Sequence, residues 1–134
     1  MANFEVFDRR SRPVSHQPTV TLQKRGNFSL NRAAFNALGD PEAVELLYDR
    51  TERLIGMRSA SLNNRLAYPV RKQQNAASYL IAGNAFNQFY GIETGSTRRW
   101  NAVMSDDILV VDLKQQAQVV VSNRDKSQRR SDGG

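Results

Sequence analysis

Adjacent pairs of basic residues are the feature of this sequence most suited to chemistry. Lysine and arginine side chains donate charge-assisted hydrogen bonds to phosphate oxygens, and the planar guanidinium group of arginine can donate two in parallel. An asparagine directly before the first predicted helix could cap that helix or reach a base edge. The alternative interpretation is that these residues are solvent-exposed loop charges that bind no ligand. The candidate phosphate-binding and base-contacting residues are Lys24, Arg25, Asn31, Arg32, Arg71, Lys72, Arg98 and Arg99. Of these, Arg98 and Arg99 are predicted to form one set of phosphate donors.

Catalytic and metal-binding chemistry has few candidate residues in this chain. General acid and base catalysis needs several titratable groups in one pocket, but the chain has no cysteine and one histidine, His16. Its acidic residues lack metal-ligand spacing. The adjacent pair Asp106 and Asp107 is typical of a turn, because on a strand the two side chains would point to opposite faces. We therefore predict no catalytic residue, no metal site and no cofactor.

The excess of positive charge is concentrated at the C-terminal end. The 134 residues carry a formal net charge of +6, with +1 in residues 1–18, +2 in residues 19–113 and +3 in residues 114–134. Residues 1–18 are predicted to be a flexible arm, and residues 114–134 a basic, disordered tail. The tail either strengthens phosphate binding without sequence preference or keeps the protein soluble.

The length and apolar pattern favour a single domain over residues 19–113. A chain of this size has room for one core but not comfortably for two. No apolar run reaches the roughly 18 residues that a membrane-spanning helix needs. The N-terminus also lacks a signal-peptide pattern. We expect a cytoplasmic protein without a membrane partner.

The order of the predicted elements indicates an internal repeat. Residues 19–60 predict strand, strand, short helix and hairpin, and residues 68–113 repeat this order in pattern although not in residue identity. The first unit has predicted strands at 20–22, 28–30, 44–48 and 54–58 and a helix at 31–38. The second has predicted strands at 68–72, 78–82, 100–104 and 108–113 and a helix at 84–90, and a last short strand is predicted at 119–121. Two such units suggest a fused pseudo-dimer. Its pseudo-symmetry would place the basic pairs Lys24-Arg25 and Arg71-Lys72 on related loops.

The first unit resembles the swapped-hairpin DNA-binding domain of the AbrB, MazE and SpoVT type over about 40 residues. The residues on the family pattern are Gly26, Phe28-Ser29-Leu30, Leu38-Gly39, Val44 and the 54–57 strand. The resemblance implies a mainly β fold with two short helices (α+β), in which two ββαββ units interleave their hairpins into one barrel. It also implies that basic residues near the strand turns and the helix start contact DNA.

This chain departs from the family at Asn27, Asn31 and Phe35, where the family has arginine, proline and arginine. The sequence therefore leaves two functions open. The first is a non-enzymatic regulator of transcription or antitoxin type that binds duplex DNA in preference to single strands. The second is a protein-interaction or structural module on the same barrel that has lost its DNA contacts. A homo-oligomer or another protein partner is compatible with both.

Aromatic residues favour a packed core over base stacking. Phe86, Phe89 and Tyr90 recur at helical spacing and are predicted to pack on one buried helix face. Stacking on single-stranded nucleic acid would need exposed aromatics on strands. The residues that could serve this purpose are Tyr68, Tyr79 and Trp100.

Overall fold

The computed structural model describes residues 17–73 and 77–120, where the chain forms eleven strands and two short helices. The first half contains β1 (Thr19–Leu22), β2 (Phe28–Asn31), α1 (Arg32–Ala37), β3 (Ala43–Asp49) and β4 (Leu54–Ala60). The second half contains β5 (Tyr68–Pro69), β6 (Arg71–Lys72), β7 (Ser78–Ile81), α2 (Asn84–Tyr90), β8 (Arg98–Asn101), β9 (Val103–Ser105), β10 (Ile108–Asp112) and β11 (Gln118–Val119). The predicted mainly β class with two short helices is confirmed. Most of the predicted arm and of the predicted tail lies outside the described residues.

Six strands form one antiparallel sheet in the order β11-β8-β1-β2-β7-β6. Successive side chains of a strand point to opposite faces, so apolar residues at alternate positions give each strand one buried side. Val20, Leu22, Phe28, Leu30 and Ile81 are at most 1% exposed. The chain continues past residue 113 into this sheet, because β11 pairs with β8.

The other five strands form a second antiparallel sheet in the order β5-β3-β4-β10-β9. β3 and β4 pair along their full length, from Ala43 opposite Ala60 to Asp49 opposite Leu54. The turn that joins them ends at Arg53, whose φ of 54° lies in the left-handed region that favours glycine or asparagine.

The buried faces of the two sheets meet in one core. Leu22, Phe28 and Trp100 of the six-stranded sheet belong to the same buried cluster as Ile55 and Met57 of the five-stranded sheet. Among the described residues, strand pairing joins neighbours within each sheet but does not join the two sheets. The architecture is therefore two packed antiparallel sheets, and the closed barrel that we predicted is not formed.

Two segments that were predicted as single strands are each divided between the sheets. β5 pairs with β3 while β6 pairs with β7, so the chain crosses between the sheets at Val70. β8 and β9 are divided in the same way at Ala102. The N–H of Val70 donates to the carbonyl of Glu42 at 3.0 Å, and that of Ala102 donates to Pro18 at 2.9 Å. Each crossing N–H is therefore satisfied.

The two helices begin at opposite ends of the six-stranded sheet, because each follows one of the antiparallel neighbours β2 and β7. α2 ends at Gly91, whose φ of 64° is typical of a helix C-terminus. Phe86 and Tyr90 of this helix pack on the core, whereas Phe89 is 71% exposed. The prediction of one shared buried face is therefore wrong for Phe89, which lies on the solvent side of the helix.

Candidate nucleic-acid interface

The strands of the two sheets differ in charge. The strands of the six-stranded sheet contain no acidic residue and four basic ones, Arg71, Lys72, Arg98 and Arg99. The strands of the five-stranded sheet contain one basic residue, Arg58, and three acidic ones, Glu45, Asp49 and Asp112. An acid-free surface attracts phosphates without a competing carboxylate, so the six-stranded sheet is the candidate interface.

The outer face of the six-stranded sheet consists of the side chains that alternate with its core residues. These are Thr19, Thr21, Ser29, Asn31, Arg71, Ser78, Leu80, Arg99 and Asn101. The row nearest the β1–β2 turn runs across five strands from Arg99 through Thr21, Ser29 and Leu80 to Arg71. Arg99 Nε donates to Thr21 Oγ1 at 3.2 Å. A depression of ≈ 350 Å³ lies on this face. The hydroxyl groups of Thr21 and Ser29, with Leu80 beside them, therefore lie between two arginines, which is a suitable arrangement for a phosphate-flanked ligand.

Lys24 and Arg25 are exposed in the β1–β2 turn, just beyond this row. The turn is anchored to the second half of the chain, since the Lys24 N–H donates to Thr97 Oγ1 at 3.1 Å. The carbonyl of Gly26 accepts from the buried Asn87 Nδ2 at 2.8 Å. Gly26 has a φ of 94°, and a Cβ there would lie 2.7 Å from Asn84 Oδ1. The two basic side chains are thus presented by a backbone that is fixed against α2.

The Asn31 side chain acts as a helix cap. Its Oδ1 accepts from the N–H of Ala34 at 2.8 Å and from that of Thr19 at 3.0 Å, and its Nδ2 donates to the carbonyl of Gln17 at 2.9 Å. Of the two uses predicted for this residue, capping is the one present, and one amide hydrogen remains for another acceptor. Arg32, in the first turn of α1, is exposed at the sheet end opposite the β1–β2 turn.

Arg71 and Lys72 lie within β6, at the edge of the sheet. We expected them on a loop related to the one that carries Lys24 and Arg25. The chain instead crosses between sheets at Val70, and the two residues extend the edge by pairing with Leu80 and Tyr79. Arg71 therefore joins the outer face opposite Leu80, and the β6–β7 connection passes through residues outside the described ranges.

Arg98 and Arg99 point to opposite faces of β8, because neighbouring residues on a strand alternate. Arg99 lies on the outer face, while the Arg98 guanidinium lies over the ring of Trp100 at 4.8 Å from its centroid. The predicted joint donor set is therefore wrong. Arg99 is the member available to the interface.

The candidate stacking aromatics are not exposed platforms. Trp100 is 3% and Tyr79 8% exposed, and the Trp100 indole N–H donates to the carbonyl of Gln115 at 3.1 Å. Tyr79 stacks on Phe35 with ring centroids 3.7 Å apart. Tyr68 is half-buried and packs against the core. Trp100 and Tyr79 are therefore too buried to serve as stacking platforms, and Tyr68 is only partly exposed.

No ion pair in the described part of the chain joins an acidic side chain to one of the candidate residues. Glu45 forms an ion pair with Arg58 at 2.8 Å. Asp49 Oδ1 accepts from the Glu52 N–H at 3.0 Å. The remaining ion pairs within residues 17–73 and 77–120 join Lys114 to Glu52 and to Asp112.

Sequence reasoning missed the small polar residues of the outer face. Thr19, Thr21, Ser29 and Ser78 alternate with buried apolar residues, so the alternation itself was a usable signal for an exposed polar face. Their arrangement in rows depends on strand order and register, which the local pattern does not determine.

No cluster of three or more potential metal-binding side chains occurs within residues 17–73 and 77–120. Neither helix in these ranges is long and apolar enough to cross a membrane. Comparison with family models, curated proteins and solved structures finds no match to this chain. The functional argument therefore rests on the surface itself.

Proposed function

We propose that the protein is a non-enzymatic DNA-binding regulator that docks the outer face of the six-stranded sheet and the β1–β2 turn on duplex DNA. The observation that carries this proposal is the complete segregation of acidic residues away from the strands of this sheet. Regulation of transcription, or of a toxin as an antitoxin, is the class of role that fits such a protein. The contacts that we assign to phosphate are Lys24, Arg25, Arg71 and Arg99.

The spacing of the outer face suits a duplex groove. Arg99 and Arg71 are separated by four strand intervals, which correspond to about 19 Å at roughly 4.8 Å each. The major groove of duplex DNA is about 12 Å wide, so the two arginines can contact phosphates on both sides of one groove. The hydroxyl groups of Thr21 and Ser29 would then face base edges between them.

We further infer that the fold is a fused pseudo-dimer of the AbrB type. β2 pairs with β7 in one sheet, and β4 pairs with β10 in the other. Each pair joins corresponding strands of the two sequence units. Each sheet therefore takes one hairpin from each half of the chain, which is the interleaving that a swapped-hairpin pair would produce.

The test compares binding of the full-length chain to a random DNA duplex at several salt concentrations. Each phosphate contact contributes about 0.9 to the slope of log affinity against log salt, so four contacts contribute about 3.6. Between about 50 and 200 mM salt, these contacts alone should lower the affinity by roughly 150-fold. Replacement of Lys24, Arg25, Arg71 and Arg99 by alanine should abolish this part of the dependence.

The matched control removes the same number of positive charges from the C-terminal tail. It replaces Arg124, Lys126, Arg129 and Arg130 by alanine. If the sheet binds DNA, the sheet variant lowers affinity and flattens the salt slope more than the tail variant does. An unchanged slope in the sheet variant, together with a loss confined to the tail variant, would refute the proposal.

The second candidate function is a protein-interaction module, with a second copy of this chain as the partner. It is favoured by the outer face of the five-stranded sheet, where Leu47, Leu54, Ile108 and Val110 surround a ≈ 280 Å³ depression at Gly56. The Glu45–Arg58 pair on this face is neutral, while Asp49 lines the depression as an exposed carboxylate at the end of β3. A partner copy would therefore contact a mainly apolar surface with an acidic residue at its edge.

The second candidate function predicts a dimer, and the mass of the protein in solution tests for it. Val110→Glu should dissociate such a dimer, because a carboxylate would be buried at its centre. Ser29→Glu is the matched control on the outer face of the other sheet and should leave the dimer intact. A chain that stays monomeric at all concentrations would eliminate this candidate.

A further inference from the structure

A second group of arginines converges at the sheet end where the β1–β2 turn lies. It surrounds a cavity of ≈ 430 Å³ between the β3–β4 turn, the C-terminal end of α2 and the start of β8. The polar and aromatic lining residues are Tyr48, Arg50, Arg53, Tyr90, Glu93 and Arg98. Three guanidinium groups face one carboxylate, so the lining carries a net charge of +2 at neutral pH.

We propose that this cavity binds the phosphate group of a small organic phosphate ester. This site is separate from the proposed DNA surface, because Arg98 points away from the outer face that holds Arg99. The proposal therefore does not depend on the DNA-binding function.

Arg98 supplies the most specific argument. Its guanidinium is fixed by the Trp100 ring beneath it and by donation from Nη2 to the carbonyl of Glu93. Its Nε is buried and has no hydrogen-bond partner within the described residues. A buried charged donor without an acceptor is costly, and native proteins rarely leave one unsatisfied. Nε itself has no surface open to the cavity, so an anion there would interact with the positive charge of the guanidinium group, which lines the cavity.

Arg53 occupies a position that its side-chain type does not favour. The φ of 54° is unfavourable for a residue with a Cβ, and glycine or asparagine is common at such turn positions. The Arg53 carbonyl accepts from the Leu113 N–H at 3.0 Å, which ties the turn to the end of β10. An arginine held in a strained turn at the mouth of a cavity is consistent with a function for its side chain.

Arg50 is positioned by aromatic rings. Its guanidinium carbon lies 4.9 Å from the Tyr90 centroid and 5.8 Å from that of Phe89. Contact with a ring face leaves the in-plane N–H groups free to donate.

The chemistry of the lining favours a phosphate ester over other anions. A carboxylate needs one guanidinium fork, whereas three arginines match the charge and the several oxygens of a phosphate dianion. The cavity lies within the range of about 300–1,000 Å³ that is typical of small-molecule sites. The space and the Tyr48 and Tyr90 rings indicate room for an organic group besides the phosphate.

The experiment is calorimetric titration of the full-length chain with adenosine 5′-monophosphate, inorganic phosphate and adenosine. The proposal predicts that the monophosphate binds more tightly than inorganic phosphate and that adenosine does not bind. Loss of a charge-assisted contact corresponds to about tenfold weaker binding or more, which is expected for Arg50→Gln and for Arg53→Gly. Arg53→Gly suits the backbone conformation, so its effect cannot be attributed to unfolding.

Arg65→Gln is the matched control, because it removes one exposed positive charge from the β4–β5 connection outside the cavity. It should bind the monophosphate as the unaltered chain does. Equal weakening by Arg65→Gln, or unaltered binding by Arg50→Gln and Arg53→Gly, would overturn the site. Inorganic phosphate binding as tightly as the monophosphate would overturn the assignment to an ester.

Discussion

Two glycines with similar backbone conformations make it possible to test how the β1–β2 turn is held. Gly26 and Gly39 have φ values of 94° and 81°. A Cβ at Gly26 would lie 3.2 Å from the backbone Cα of Asn84, whereas a Cβ at Gly39 would meet nothing within 4 Å. Alanine at either position suffers the same kind of backbone strain, but only alanine at Gly26 must also push α2 away.

The expected costs follow from these contacts. Alanine at an unfavourable positive φ costs about 1–3 kcal/mol, and about 0.4–1 kcal/mol of this is offset by the reduced freedom of the unfolded chain. Gly39→Ala should therefore lower the free energy of unfolding by roughly 1 kcal/mol. Gly26→Ala adds an overpacking cost of about 1–3 kcal/mol, for a total of roughly 3 kcal/mol.

Urea unfolding of the two variants measures this difference, provided that the m value stays unchanged. The prediction extends to DNA, because displacement of the turn moves Lys24 and Arg25 without altering the net charge. Gly26→Ala should weaken duplex binding while Gly39→Ala should not. Equal destabilisation by the two substitutions would show that the turn is not packed on α2 as described, and the reasoning would fail.

Two further substitutions test individual groups. Arg53→Gly should raise the melting temperature by about 3–6 °C. The reason is that relief of about 1–2 kcal/mol of backbone strain at a positive φ exceeds the roughly 0.5–1 kcal/mol entropic cost of glycine. A lower melting temperature would show that the Arg53 backbone is not strained. The backbone N–H of Lys114 donates to Asp112 Oδ1, and this bond, with the Lys114 ammonium, lowers the pKa of the carboxyl below its ordinary 3.8. A lowered pKa in the folded state stabilises the fold above the unfolded value and ceases to do so as pH falls through the folded value. Asp112→Asn should thus be less stable than the unaltered chain at neutral pH, and urea unfolding should show the gap closing well below pH 3.8; a gap that does not depend on pH would refute this assignment.

The local pattern predicted most elements because alternation and helical spacing are local properties. The helix predicted at 84–90 and the strand predicted at 54–58 coincide with α2 and with most of β4. The same information could not reveal the crossings at Val70 and Ala102. Alternation shows which side of a strand is buried, but a strand that changes sheets keeps one side buried throughout. The partner strands come from distant parts of the sequence, so the crossing is a tertiary property.

The residues of the two candidate sites differ in how far the sequence could predict them, because some are neighbours in sequence and others meet only in the folded chain. Lys24 and Arg25 could be proposed from the sequence, because two adjacent charges at a strand end are visible there. Arg50 and Arg53 come from the β3–β4 turn and Arg98 comes from β8, and only the packing of the two sheets brings them around one cavity. By contrast, strand alternation alone predicts that Arg98 and Arg99 point to opposite faces. The prediction of one joint donor set did not take this alternation into account.

That alternation would also allow β8 to contribute one arginine to each of the two proposed sites. β8 is paired with β1 on one side and β11 on the other, and the buried Trp100 holds it against the core. Coupling between sites requires an element with two arrangements that each ligand biases, and a strand paired on both sides is poorly suited to that role. The two proposed sites should therefore act independently, although Arg98 and Arg99 are neighbours in sequence. Substitution of Arg99 is expected to affect DNA binding, and substitution of Arg98 to affect the phosphate cavity, with neither loss transmitted to the other.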